Sequence, residues 1–174
     1  DDDDGWGDDA GGDGWGDVAF KIATDGTTRF TGTLADGLRG IEYFCIEDGV
    51  HTINITSGAA FNLSVNGGNA SDSILLGTGG TNFANGATLD GGAGADTIYY
   101  NDQGGTAISI TGGFGNDSLR IADNASGATI RGGNGVDTIR FVRFTATSLI
   151  DAGAQNDVIA GTALTQMRGS INGG

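Results

Sequence analysis

Gly91-Gly92-Ala93-Gly94-Ala95-Asp96-Thr97-Ile98 is a phrase that the chain carries three times. Gly112-Gly113-Phe114-Gly115-Asn116-Asp117-Ser118-Leu119 and Gly132-Gly133-Asn134-Gly135-Val136-Asp137-Thr138-Ile139 keep its glycines, its aspartate and its closing aliphatic residue. Partial copies flank these. Gly67-Gly68-Asn69-Ala70-Ser71-Asp72-Ser73-Ile74 has alanine at the fourth position, and Ala152-Gly153-Ala154-Gln155-Asn156-Asp157-Val158-Ile159 lacks the first and fourth glycines. The aspartates fall at 72, 96, 117, 137 and 157, so the period settles from 24 to 20 residues. A fixed period of this size marks a solenoid, in which each unit stacks on the next.

Two aliphatic columns run with the repeat. Two residues after each aspartate, or after His51, stand Ile53, Ile74, Ile98, Leu119, Ile139 and Ile159. Two residues before each glycine pair stand Val65, Leu89, Ile110, Ile130, Ile150 and Ile171. Ile55, Leu76, Tyr100, Ile121 and Phe141 continue the first face with strand alternation until Gly161 breaks it. Stacked at the strand spacing of about 4.8 Å, such positions form continuous apolar ladders. The expected fold is all-β, a parallel β-roll or β-solenoid with two parallel sheets, coils of about 20 residues and one glycine-rich edge. The opposite edge (77–86, 101–105, 122–127, 143–146) varies in length, and the four extra residues between Asp72 and Asp96 are assigned to a bulge at 77–82.

The phrase resembles the GGxGxDxUx nonapeptide of the RTX (repeats-in-toxin) family of secreted bacterial proteins, where U is a large apolar residue and the glycine loop binds calcium. The three full copies match every fixed position, and the resemblance extends over about residues 67–174, with Gly173-Gly174 opening a further copy. Family nonapeptides usually follow one another directly on both edges of the roll. Here one copy occurs per coil, so the resemblance implies a single calcium-binding edge. Calcium takes about six to eight oxygen ligands, of which one loop offers half, so the ion is expected between consecutive coils, held by one aspartate from each and by loop carbonyls. The candidate metal ligands are Asp72, Asp96, Asp117, Asp137 and Asp157 with Gly91, Gly92, Gly94, Gly112, Gly113, Gly115, Gly132, Gly133 and Gly135. Asp96 with Asp117, and Asp117 with Asp137, make the best pairs because their glycines are intact; Gln155 weakens the pair of Asp137 with Asp157, and Ala70 that of Asp72 with Asp96. Stacked aspartates repel when empty, so calcium binding and folding should be coupled. The resemblance also implies type I secretion and an extracellular or cell-surface location.

Composition agrees with a chain that turns often: of 174 residues 35 are glycine and none is proline. The formal charge is −14, and eight of the 22 acidic residues lie in the first 17 positions. Such a chain repels nucleic acid and anionic membranes and attracts divalent cations. No apolar run reaches the roughly 20 residues of a membrane span, and the aspartates that open the chain are no signal peptide. Cys45 is alone and is expected as a buried apolar residue between Phe44 and Ile46. Three regions follow: an acidic arm, 1–17, with Asp-Gly-Trp-Gly-Asp around both Trp6 and Trp15; irregular lead-in strands, 18–50, with turns at Asp25-Gly26 and Asp36-Gly37; and the solenoid, 51–174, expected to continue past the chain end.

No catalytic set accompanies the repeat. His51 is the sole histidine, read as a turn residue in a coil without calcium, and no nucleophile motif stands near it, so no enzymatic activity is expected. Arg120, Arg131 and Arg140 fall on outward strand positions. The expected function is an extracellular calcium-stabilised structural or interaction module, such as a surface-layer element, adhesin stalk or filament subunit. Its expected partners are calcium, other copies joined head to tail or further repeats of one array, and surface polysaccharide. One alternative is an accessory module of a secreted protease, lipase or epimerase. Another is an ice-binding solenoid, against which the outward ranks argue: Thr52, Ser73, Thr97, Ser118 and Thr138 form one hydroxyl rank, but its neighbour runs Asn54, Leu75, Tyr99, Arg120, Arg140.

Overall fold

Residues two apart on a strand share a face, so the aliphatic columns can be buried only if successive coils lie in register. The computed structural model, which describes residues 19–22, 28–33, 43–46, 49–57, 64–77, 86–101, 107–121, 127–142, 147–162 and 169–174, has this arrangement. Strands alternate between two sheets as the chain advances. The first sheet stacks β1 (Ala19–Ile22), β3 (Tyr43–Ile46), β5 (Ser64–Asn66), β7 (Thr88–Ala93), β9 (Ser109–Phe114), β11 (Thr129–Asn134), β13 (Leu149–Ala154) and β15 (Ser170–Asn172). The second stacks β2 (Thr28–Thr33), β4 (His51–Ser57), β6 (Ser73–Leu76), β8 (Thr97–Tyr100), β10 (Ser118–Ile121), β12 (Thr138–Phe141) and β14 (Val158–Gly161). All pairings are parallel, and each coil takes about 21 residues. No helix occurs among the described residues, and none is therefore long and apolar enough to cross a membrane.

Both aliphatic columns are in register. Ile53, Ile74, Ile98, Leu119 and Ile139 are buried beside one another, and Val65, Leu89, Ile110, Ile130 and Ile150 face them from the other sheet. At the last coil Ile159 is only partly buried and Ile171 is 46% exposed. A third buried column, Ala87, Ile108, Ala128 and Ser148, lies just before the first sheet's strands and was not anticipated. Ser148 fits there because its Oγ accepts the Ala128 N–H at 3.2 Å.

The stretch expected to be irregular contributes rungs to the same sheets: β1 pairs with β3, and β2 with β4. Cys45 falls in register with Asn66 and Phe44 with Val65, and the burial expected for Cys45 lies outside the described residues. The acidic arm, the turns at 25–26 and 36–37, and most of the variable edge lie outside the described residues.

Three glycine pairs expected in loops, at 91–92, 112–113 and 132–133, are instead part of the strands, while Gly67-Gly68 follows the end of β5. β9 and β11 run through Gly113-Phe114 and Gly133-Asn134, and only three residues, Gly115-Asn116-Asp117 in one coil, make the corner. The second glycine has φ of 113° at Gly113, and a Cβ there would run into the Gly92 carbonyl oxygen of the coil beside it. Gly127 also has positive φ, 66°, but its Cβ would meet nothing closer than 3.8 Å. Gly127→Ala should therefore cost only the roughly 1–2 kcal/mol of a left-handed backbone. Gly113→Ala adds a backbone collision that the stack cannot relieve, and should exceed about 4 kcal/mol. Denaturant unfolding of the two variants checks this; equal losses would mean that the coils can spread apart.

Candidate metal centre

At the glycine-rich edge the chain leaves one sheet and enters the other within three residues, and the aspartate that closes the turn is the last residue before the next strand. Its backbone N–H has no strand partner at that bend and must be satisfied elsewhere. The aspartate of the following coil does this. Asp72 N–H donates to Asp96 Oδ1 at 2.7 Å, Asp96 N–H to Asp117 Oδ1, Asp117 N–H to Asp137 Oδ1 and Asp137 N–H to Asp157 Oδ1, each of the last three at 2.8 Å. Asp72, Asp96, Asp117 and Asp137 are buried, with at most 3% exposure.

The second carboxylate oxygen has a different fate. Oδ2 of all five aspartates is buried without a hydrogen-bond partner. In Asp72, Asp96, Asp117 and Asp137 it lies against the first glycine of its own phrase, in a space that a carbonyl of the next coil also approaches. A Cβ on Gly91 would collide with Oδ2 of Asp96 and stand 2.6 Å from the Gly112 carbonyl oxygen. Gly112 bears the same relation to Asp117 and Gly132, Gly67 to Asp72 and Gly91, and Gly132 to Asp137 and Ala152. At Gly67, Gly91, Gly112 and Gly132 a carboxylate thus fills the place a side chain would take, while Ala152 stands at that position in the coil of Asp157.

Burial raises the carboxyl pKa along this column. For Asp96 and Asp117 desolvation is the largest cause and, with the negative charge of neighbouring aspartates, carries the pKa from 3.8 to about 6 against the opposing backbone hydrogen bond. Asp137 is raised for the same reasons. Asp72 is also raised by desolvation, although hydrogen bonds and charge attraction from His51 oppose it. His51 does not sit in a turn as expected. It is the first residue of β4, 1% exposed, and occupies the aspartate position of its coil. Its N–H donates to Asp72 Oδ1 at 2.8 Å and its Nδ1 lies 3.0 Å from the same oxygen. The 21-residue spacing from His51 to Asp72 was the available signal for this placement.

The structure brings Asp72, Asp96, Asp117, Asp137 and Asp157 into one column, with the first glycines behind the Oδ2 atoms of the first four. It does not make the second and fourth glycines equivalent to these: Gly92 and Gly113 pack backbone on backbone, and Gly94, Gly115 and Gly135 supply positive φ of 139°, 127° and 132°. Ala70 and Gln155, in the partial copies, adopt the same left-handed turn with φ of 140° and 90°. The expected pairing of one carboxylate from each of two coils is also modified. For Asp72, Asp96, Asp117 and Asp137, a carbonyl from the next coil approaches the same space as Oδ2, while the next carboxylate is engaged through its Oδ1. Among the described residues no three His, Cys, Asp or Glu side chains converge on a metal position. A cation here would depend on one carboxylate oxygen, on carbonyls and on water. Such all-oxygen donors suit a hard divalent ion and not a thiophilic one. An unpartnered buried oxygen, held where a glycine leaves room, fits that requirement.

Searches against known protein families, curated proteins and solved structures find no match to this chain.

A carboxyl whose pKa is higher folded than unfolded binds protons more tightly when folded. Its favourable contribution is complete below the ordinary carboxylate pKa and is lost as pH rises through about 6 for Asp96 and Asp117. In chelator, the melting temperature should therefore fall between about pH 4 and pH 7, and Asp117→Asn should flatten this slope. An unchanged slope in that variant would show that Asp117 is solvated in the folded chain.

Proposed function

We propose that the chain is a calcium-stabilised β-roll module with a structural or interaction role outside the cell, as a surface-layer element, adhesin stalk or filament subunit of a secreted bacterial protein. The observation that carries this reading is the column of buried, unpartnered Oδ2 atoms, four of which share the space of a first glycine's missing side chain with a carbonyl of the next coil. Several buried negative charges without counter-ions are costly, and a divalent ion would offset them. The RTX resemblance of the three full phrases supports the same ion, with Asp96, Asp117 and Asp137 as the residues that would hold it. Calcium would supply charge neutralisation and a bond between coils. The chain's own residues set the spacing, close the corner and keep water from the inner edge. Exposed Ile171 and partly buried Ile159 offer an apolar rung on which a further coil, of the same chain or of another copy, can stack.

The opposing reading is a hydrogen-bonded aspartate ladder that takes no metal, and Asp117→Asn separates the two. Asparagine keeps an Oδ1 acceptor for Asp96 N–H and places an N–H donor near the Gly132 carbonyl, so in chelator the variant should be as stable as the parent or more so. Calcium should raise the parent's melting temperature and raise the variant's less. At a free concentration a hundredfold above Kd, each site adds about 2.7 kcal/mol. Asp72→Ala should forfeit less of this gain than Asp117→Ala, because Asp72 already has His51 as a partner. If the parent melts identically in chelator and in excess calcium, the ladder reading stands and the calcium reading falls.

A further inference from the structure

The outer face of the second sheet differs from the rest of the molecule. From β4 to β14 its two outward ranks contain no aspartate or glutamate, in a chain whose net charge is −14. They contain instead Tyr99, Arg120 and Arg140 on successive strands, flanked by the hydroxyls of Ser118 and Thr138. The first sheet's outer face is mixed by comparison: Arg131 lies in register with Asp151, and Asp90 stands on the same rank.

Arg120 and Arg140 are direct neighbours on adjacent strands, and both are exposed. Like charges so placed repel. No carboxylate among the described residues pairs with either one; the contact Arg120 makes is with Tyr99, its guanidinium carbon 4.9 Å from the ring centroid. That contact holds the guanidinium over the ring, and its N–H donors can form paired hydrogen bonds to a carboxylate. Two arginines side by side, with no carboxylate partner among the described residues, do nothing for the roll itself, whose core is complete beneath them at Leu119, Ile121, Ile139 and Phe141.

We propose that this face binds an acidic polysaccharide, with Arg120 and Arg140 taking sugar carboxylates, Tyr99 offering an apolar ring to a sugar face, and Ser118 and Thr138 meeting hydroxyls. Charge complementarity chooses an anion, since this is the described face free of carboxylates. The small number of cations chooses a polymer of mixed neutral and charged sugars over nucleic acid: two arginines offset little of the repulsion between a phosphate backbone and a chain of this net charge. The flat ranks, spaced at about 4.8 Å, suit an extended strand of sugars lying across them. This inference rests on the sheet and not on the calcium reading.

The test uses the full chain in calcium, with immobilised, partially methyl-esterified polygalacturonate as the probe. Fully esterified polymer serves as the uncharged control, and dextran sulfate, a single-stranded oligonucleotide and vesicles containing phosphatidylserine as other anions. The partially esterified polymer should bind and the neutral one should not. Arg120→Gln and Arg140→Gln should each weaken binding about tenfold, the size of one lost charge-assisted hydrogen bond. Arg120→Lys should restore part of the loss. Both arginines are exposed, so unchanged melting curves will separate lost binding from lost fold. Absence of binding, equal binding of the neutral polymer, equal binding by the Gln variants, or tighter binding of the oligonucleotide, dextran sulfate or vesicles would each overturn the proposal. Repeating the titration in chelator keeps the two readings apart: a change in melting there bears on calcium, and a change in the Arg dependence bears on this face.

Discussion

A single hydrogen bond, from the backbone N–H of one aspartate to the carboxylate of the aspartate one coil further on, governs the glycine-rich edge. It satisfies a donor that the corner would otherwise strand away from water. To reach it, the carboxylate must turn into the roll, where its other oxygen occupies the space a side chain on the first glycine would need. Aspartate and first glycine are therefore coupled in four coils, whereas the last, with Ala152 before the half-buried Asp157, keeps the hydrogen bond without the glycine. The same inward turn buries negative charge in the central coils, which raises the carboxyl pKa of Asp96 and Asp117 and creates the demand for a counter-ion.

Much of this was legible in the residues. The period gave the coil, and the identity of Ile74, Ile98, Leu119 and Ile139 gave one inward column without reference to coordinates. What a pattern of letters cannot contain is the direction of a backbone N–H. For that reason the glycine pairs were placed in loops when three of them belong to strands, and the carboxylates were paired with one another when each first meets a peptide. Ala70 and Gln155 show the complementary point. By local preference neither should adopt a left-handed turn, yet both do, because the coils on either side impose it. The strands of 18–50 were legible as strands but not as rungs of the two sheets, because the stretch lacks the full glycine and aspartate phrase that sets the register.

The third buried column illustrates another limit. Ala87, Ile108, Ala128 and Ser148 sit where the chain enters the first sheet from its variable edge, and their sizes and polarity differ. A column is conspicuous in sequence when its members are alike. This one is held together by depth, and a serine is acceptable only because the Ala128 N–H is at hand.

Each coil is related to the next by nearly the same displacement, and each aspartate link runs in the same sense, donor behind and acceptor ahead. A structure generated by one repeated translation has no natural length. Inserting or deleting one 20-residue segment between equivalent points, such as Gly112 and Gly132, would change the rod by one step of about 4.8 Å and leave every remaining junction as it was. The gene for such a protein works as a ruler, in which unequal recombination between near-identical phrases can set reach without redesigning a core.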